Sequence, residues 1–236
     1  MPYIAVHDLA MYYEIHGTGE PLVLVLGLGS DVSQYSWMIE ELARHYRTIA
    51  FDNRGAGRTG MPTQSYSITQ MTDDLAGLLE ELAIDPARIL GISLGSRIAV
   101  DLAVRYPNRV KDLILVSVLA RRVVGQRISL PLRLSFIARW LPGFRPRFRQ
   151  PWYAFVNQHA AALDYDSVGC AAEIEVPTLI LHGRRDRTAS HQGAEEIAHA
   201  AARSRLVSFT GGHSFFRGNE QDAFFQEIFN GAKITQ

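Results

Sequence analysis

Cysteine is nearly absent: the 236-residue chain has one, Cys170. A lone thiol forms no internal disulfide and fits a reducing compartment. Cys170 lies in Val168-Gly169-Cys170-Ala171-Ala172, without the turn chemistry that presents a nucleophile, and reads as a passive thiol. Net charge is absent too. The 24 Lys+Arg residues balance 24 Asp+Glu, so no global field draws the chain to nucleic acid or to an anionic membrane. No apolar run reaches the roughly 20 residues of a membrane-spanning helix. The opening residues, Met1-Pro2-Tyr3-Ile4-Ala5-Val6-His7-Asp8, have neither the basic start nor the apolar stretch of a secretory signal. The expected address is the cytoplasm, with no nucleic-acid partner and no membrane span. Neither an internal repeat nor a low-complexity tract is present, and the composition implies no oligomeric state.

What is present is alternation. Short apolar runs take turns with helical patterns, the signature of a mainly parallel, doubly wound sheet with helices on both faces, an α/β fold. Residues 3–6 and 11–15 read as an opening hairpin. Strands are predicted at 22–26, 48–51, 87–90, 113–118, 177–181 and 206–209. Helices are predicted at about 35–46, 69–82, 96–103, 192–202 and 220–229. From about 119 to 175 the alternation stops. That stretch holds Pro142, Pro146, Pro151, Trp140, Trp152 and several phenylalanines, and reads as irregular helices inserted between two strands. The division expected is a core of residues 1–118 and 176–236, with 119–175 as a short cap insert.

Gly91-Ile92-Ser93-Leu94-Gly95 falls between a strand pattern and a helix pattern. A serine on so sharp a turn needs small residues two positions either side, and the turn holds its hydroxyl out at the end of the sheet. A serine hydroxyl needs a base to take its proton, and the base needs an orienting acid. Asp186 lies just past the strand at 177–181, and His213 just past the strand at 206–209, in Thr210-Gly211-Gly212-His213-Ser214. The order Ser93, Asp186, His213 is the one an elbow nucleophile requires. Glu173 and Glu175 precede their strand and would sit at its wrong end. No carboxylate follows the strand at 113–118. The remaining histidines fall in segments that read as surface, helix face or strand-end turn. For the oxyanion, the expected N–H donors are Leu94, at the helix start, and Leu28, in Gly27-Leu28-Gly29. A plain glycine turn is the alternative there. Phe215 and Phe216 fit either an acyl pocket or the core.

These motifs resemble the α/β-hydrolase fold family across the whole chain except the insert. The elbow, the Asp52-Asn53-Arg54-Gly55-Ala56-Gly57 turn, the acid turn and the histidine turn all fall in family order. Within the family the chain is similar to small bacterial carboxylesterases and enol-lactonases. The resemblance implies a structural role for the Asp52–Gly57 turn. Serine at the elbow excludes the dehalogenase and epoxide-hydrolase branches, which use aspartate. Three departures stand out: Leu26 where the family often has histidine, Ser96 where a second glycine is frequent, and a short cap that leaves the site more open.

The insert carries Arg121, Arg122, Arg127, Arg133, Arg139, Arg145, Arg147 and Arg149 with no acid or lysine among them. Steering of a carboxylate-bearing substrate, contact with an anionic surface, and arginine stems packed on the lid with heads in water all fit this pattern. The expected activity is hydrolysis of a small-molecule ester or lactone through an acyl-enzyme, without metal or organic cofactor, rising with pH as His213 loses its proton. C–C bond, amide and perhydrolase chemistry use the same triad, and the fold also hosts non-catalytic ligand binders.

Overall fold

A computed structural model describes residues 2–121 and 148–231. Eight strands form one sheet: β1 (Tyr3–Val6), β2 (Leu9–His16), β3 (Pro21–Val25), β4 (Arg47–Phe51), β5 (Ala87–Ile92), β6 (Val110–Val116), β7 (Thr178–Gly183) and β8 (Ser204–Phe209). Their order is β1-β2-β4-β3-β5-β6-β7-β8. The opening hairpin and β2 against β4 are antiparallel, and every later pairing is parallel.

The central strands are apolar throughout because both faces are covered. Val23 and Val25 enter one core while Leu22, Leu24 and Leu26 enter the other. The first core receives α2 (Ile68–Glu81), α3 (Leu94–Arg105) and α6 (His191–Ala200). The second receives α1 (Ser36–Leu42) and α7 (Gln221–Asn230). Between β6 and β7 lie α4 (Trp152–Leu163) and α5 (Ser167–Ala171).

Most expected elements are present with ends shifted by a few residues, and two differences bear on the fold. The helix predicted at 35–46 is instead a 3₁₀ turn, Val32–Tyr35, started by the Asp31 carboxylate accepting the Ser33 N–H, followed by the short α1. After α1 the chain passes through a turn in which the His45 and Tyr46 N–H groups both donate to the Leu42 carbonyl, and then enters β4. The strand at 87–90 runs on to Ile92, and its helix begins at Leu94, leaving Ser93 alone between them. Of the insert's arginines, Arg121 and Arg149 are within the described residues and the other six lie outside them. Arg121 is paired with Glu196 at 2.8 Å.

Candidate active site

Parallel strands send their carboxyl ends to one edge of the sheet, where loops collect ligands and catalytic groups. Ser93 follows β5 there. Its backbone, φ 54° and ψ −112°, is a conformation that side chains beyond glycine rarely adopt. The two elbow glycines are needed for close approach. A Cβ on Gly91 would run into the Gly95 carbonyl, and one on Gly95 would run into the Val25 and Leu26 carbonyls. Helix α3 can therefore press its first turn directly onto β3 and β5.

His213 Nε2 lies 3.0 Å from Ser93 Oγ, and His213 Nδ1 lies 2.7 Å from Asp186 Oδ2. The carboxylate accepts only, so Nδ1 carries the hydrogen and Nε2 presents its lone pair to the serine hydroxyl. The other Asp186 oxygen accepts the N–H groups of Thr188 at 2.7 Å and Ala189 at 2.9 Å. Burial pushes this carboxyl up, but the His213 bond and the two backbone donors outweigh it and hold the group below the ordinary carboxylate range. The structure thus brings together all three residues singled out from motifs that lie 93 and 27 positions apart (Ser93 to Asp186, Asp186 to His213).

Leu94 follows the serine directly, and the residue before Leu28 passes close to it. Leu94 is the first residue of α3, where N–H groups have no intrahelical partner. Gly27 passes close enough that a Cβ there would stand 3.5 Å from Ser93 Cβ. That brings the Gly27-Leu28-Gly29 loop to the same side.

Several supporting contacts are not foreseen from the sequence. Ser117, at the end of β6 with φ 50°, donates its hydroxyl to the His213 carbonyl at 2.7 Å. Ser96 fits where glycine is frequent because its hydroxyl donates to the Ser93 carbonyl at 2.5 Å. His182 is fully buried in β7 and meets the Ala189 carbonyl at 3.0 Å. Glu220 accepts the Thr210 and Gly211 N–H groups and fastens the turn before His213. From α4, Gln158 reaches the Gly29 N–H at 3.0 Å. Its signal was faint but present: Ala154, Phe155, Gln158, Ala161 and Ala162 recur at helical spacing, so a glutamine stands on an otherwise apolar face.

Phe215 and Phe216 resolve to core, against Phe209 and Phe224. The Asp52–Gly57 turn is held from within. Arg54 forms charged pairs with Asp74 and Asp8, while Asp52 accepts the Val32 and Arg58 N–H groups. Among the described residues no group of three His, Cys, Asp or Glu side chains is arranged to hold a metal ion, and no helix is long and apolar enough to cross a membrane.

Comparison with known proteins agrees with this architecture. The model of the alpha/beta hydrolase fold family matches residues 20–156. The provisionally named carbamate hydrolase RutD of Azorhizobium caulinodans is 27% identical, over 95% of each chain. The 2-hydroxy-6-oxo-2,4-heptadienoate hydrolase of Pseudomonas putida is 31% identical, over 72% of this chain and 74% of that one. Among solved structures, the enol-lactonase from Burkholderia xenovorans LB400 superimposes with a TM-score of 0.85 at 25% identity, covering 98% of this chain and 99% of the other.

Proposed function

Because the chain belongs to the alpha/beta hydrolase fold family, we propose that it is a serine hydrolase of carboxylic esters or lactones, with Ser93, His213 and Asp186 as its triad. The observation that carries this reading is the unbroken hydrogen-bonded chain from the strained Ser93 through His213 to the buried Asp186. His213 Nε2 takes the Ser93 proton as Oγ attacks the carbonyl carbon. Asp186 keeps the imidazole in the reactive tautomer and stabilises its charged form. The carbonyl oxygen, now an oxyanion, receives the N–H groups of Leu28 and Leu94. His213 then returns the proton to the departing alkoxide, which leaves as an alcohol or, in a lactone, stays tethered to the acyl group. Water, deprotonated by the same histidine, attacks the acyl-enzyme and releases the acid and Ser93.

In this reading residues 119–175 are the short cap insert, of which 122–147 lie outside the described residues, and the address is cytoplasmic, in keeping with a single unpaired cysteine. A carbamate hydrolase and a hydrolase of a dienoate substrate among the relatives keep amide and C–C cleavage as the second reading, on the same three residues. A fluorophosphonate probe should label Ser93, and Ser93→Ala should abolish both labelling and turnover of p-nitrophenyl esters. A panel of acyl chain lengths, lactones, carbamates and dienoates then separates the substrate classes. An unlabelled Ser93 in the folded protein would replace this reading with a binding role.

A further inference from the structure

Gln158 is fully buried and Gln150 nearly so, at 4% exposure. A side-chain amide in such a place is costly unless its hydrogen bonds are made. Here Gln158 bonds at both ends of its amide and Gln150 bonds through its NH₂, to two loops, while Gln150 Oε1 has no partner among the described residues. Gln158 Oε1 accepts from the Gly29 N–H at 3.0 Å and from Gln150 Nε2 at 3.0 Å. Gln158 Nε2 donates to the Arg54 carbonyl at 2.7 Å, and Gln150 Nε2 donates to the Gly55 carbonyl at 2.7 Å. The Gly29 donor and the Arg54 acceptor leave one orientation for Gln158, and the two acceptors facing its NH₂ leave one for Gln150.

The loop so held is the one after β3. Asn53 Nδ2 donates to the Leu26 carbonyl at 3.0 Å, the Ser30 N–H donates to the Gly27 carbonyl at 3.2 Å, and Gln158 holds the Gly29 N–H. The peptides on both sides of Leu28 are therefore fixed. In a planar trans peptide the Leu28 N–H points opposite the Gly27 carbonyl, so pinning these groups aims that N–H. Asn53, Arg54 and Gly55 belong to a turn that is itself anchored by Asp8 and Asp74. Of these described residues, the two glutamines are the ones that come from the segment between β6 and β7.

Resting on the serine-hydrolase reading, we infer that Gln158, braced by Gln150, is a positioning residue that aims the Leu28 N–H at the oxyanion and ties oxyanion stabilisation to the seating of α4. The two glutamines bond the Gly29, Arg54 and Gly55 backbone groups and each other. They act through the Leu28 peptide, whose donor matters only when negative charge develops on the carbonyl oxygen.

The test compares Gln158→Met, Gln150→Met and Asn157→Ala in the full chain. Asn157 sits on the same helix and bonds the Gln64 carbonyl at 2.8 Å instead. Rates are taken per active site, counted by fluorophosphonate titration. Gln158→Met should lower kcat on p-nitrophenyl acetate roughly 10- to 100-fold, with KM level, because a misaimed donor costs in the transition state. Its affinity for a trifluoromethyl ketone, which binds as an oxyanion, should fall by the same factor. Gln150→Met should show the same pattern more weakly, since Gly29 keeps its acceptor, and it carries the test alone if Gln158→Met does not fold. Asn157→Ala should match the parent protein. Should the glutamine variants lose only melting temperature or titratable sites, with kcat per site and ketone affinity unchanged, the inference is overturned. An unlabelled Ser93 in the parent protein would instead overturn the serine-hydrolase reading, and this inference with it.

Discussion

Asp186→Asn is the sharpest perturbation of the site, because the surrounding donors dictate how the new amide must sit. In the carboxylate, one oxygen accepts the Thr188 and Ala189 N–H groups and the other accepts from His213 Nδ1. An asparagine cannot turn its NH₂ toward two backbone donors. Its carbonyl oxygen takes that side, and its NH₂ faces His213. Nδ1 must then accept, the ring proton moves to Nε2, and Nε2 points a hydrogen rather than a lone pair at Ser93 Oγ. The base is present, correctly placed and in the wrong tautomer. Such an exchange costs about 10⁴ in kcat, which at 1.36 kcal/mol per decade is about 5 kcal/mol of transition-state stabilisation. Folding should change far less, since both backbone donors keep their acceptor. The assay is steady-state turnover of p-nitrophenyl acetate across pH, with fluorophosphonate labelling as an independent reading of Ser93 reactivity. A variant retaining a tenth or more of the parent's kcat at neutral pH would refute the orienting role of Asp186.

Two further outcomes follow from the packing. Gly95→Ala places a methyl group against the Val25 and Leu26 carbonyls, so α3 must lift from β3. Urea unfolding should show a loss of roughly 1–3 kcal/mol, with reduced turnover from a displaced Leu94, and unchanged values for both would contradict the close-approach argument. Burial holds the His182 imidazole below its ordinary value, outweighing the Ala189 bond and the Asp186 charge, and burial lowers His159 likewise. Between the ordinary value, roughly 6.5, and the depressed folded one, the unfolded chain binds a proton that the folded chain refuses. Stability therefore falls as pH drops through that window. The slope of melting temperature against pH should shrink in His182→Gln, and an identical slope would remove His182 as a cause.

Legibility in the sequence divided along physical lines. The strand runs were readable because strands covered on both faces are apolar at every position, as in Leu22-Val23-Leu24-Val25. The Ser93 elbow was readable because its steric demands are local, met by Gly91 and Gly95 within five residues. Asp186 and His213 were readable because each follows its strand directly. Helix ends were less so: α1 stops at Leu42 and the chain passes through a turn over residues 43–46, which no apolar pattern announces.

Taken alone, the sequence determined a mainly parallel sheet, its order of strands and helices, and the three residues that can form a nucleophile, base and acid. Distances, tautomer and support came from tertiary structure. Ser117 holds the His213 carbonyl across 96 positions, and Gln158 holds Gly29 across 129. Phe215 and Phe216, open between pocket and core, were settled by the phenylalanines of β8 and α7 packed on them. The physical reason is reach. Apolar periodicity and turn sterics act within a few residues and are written along the chain, whereas a buried polar group is satisfied by whichever distant segment folding brings beside it.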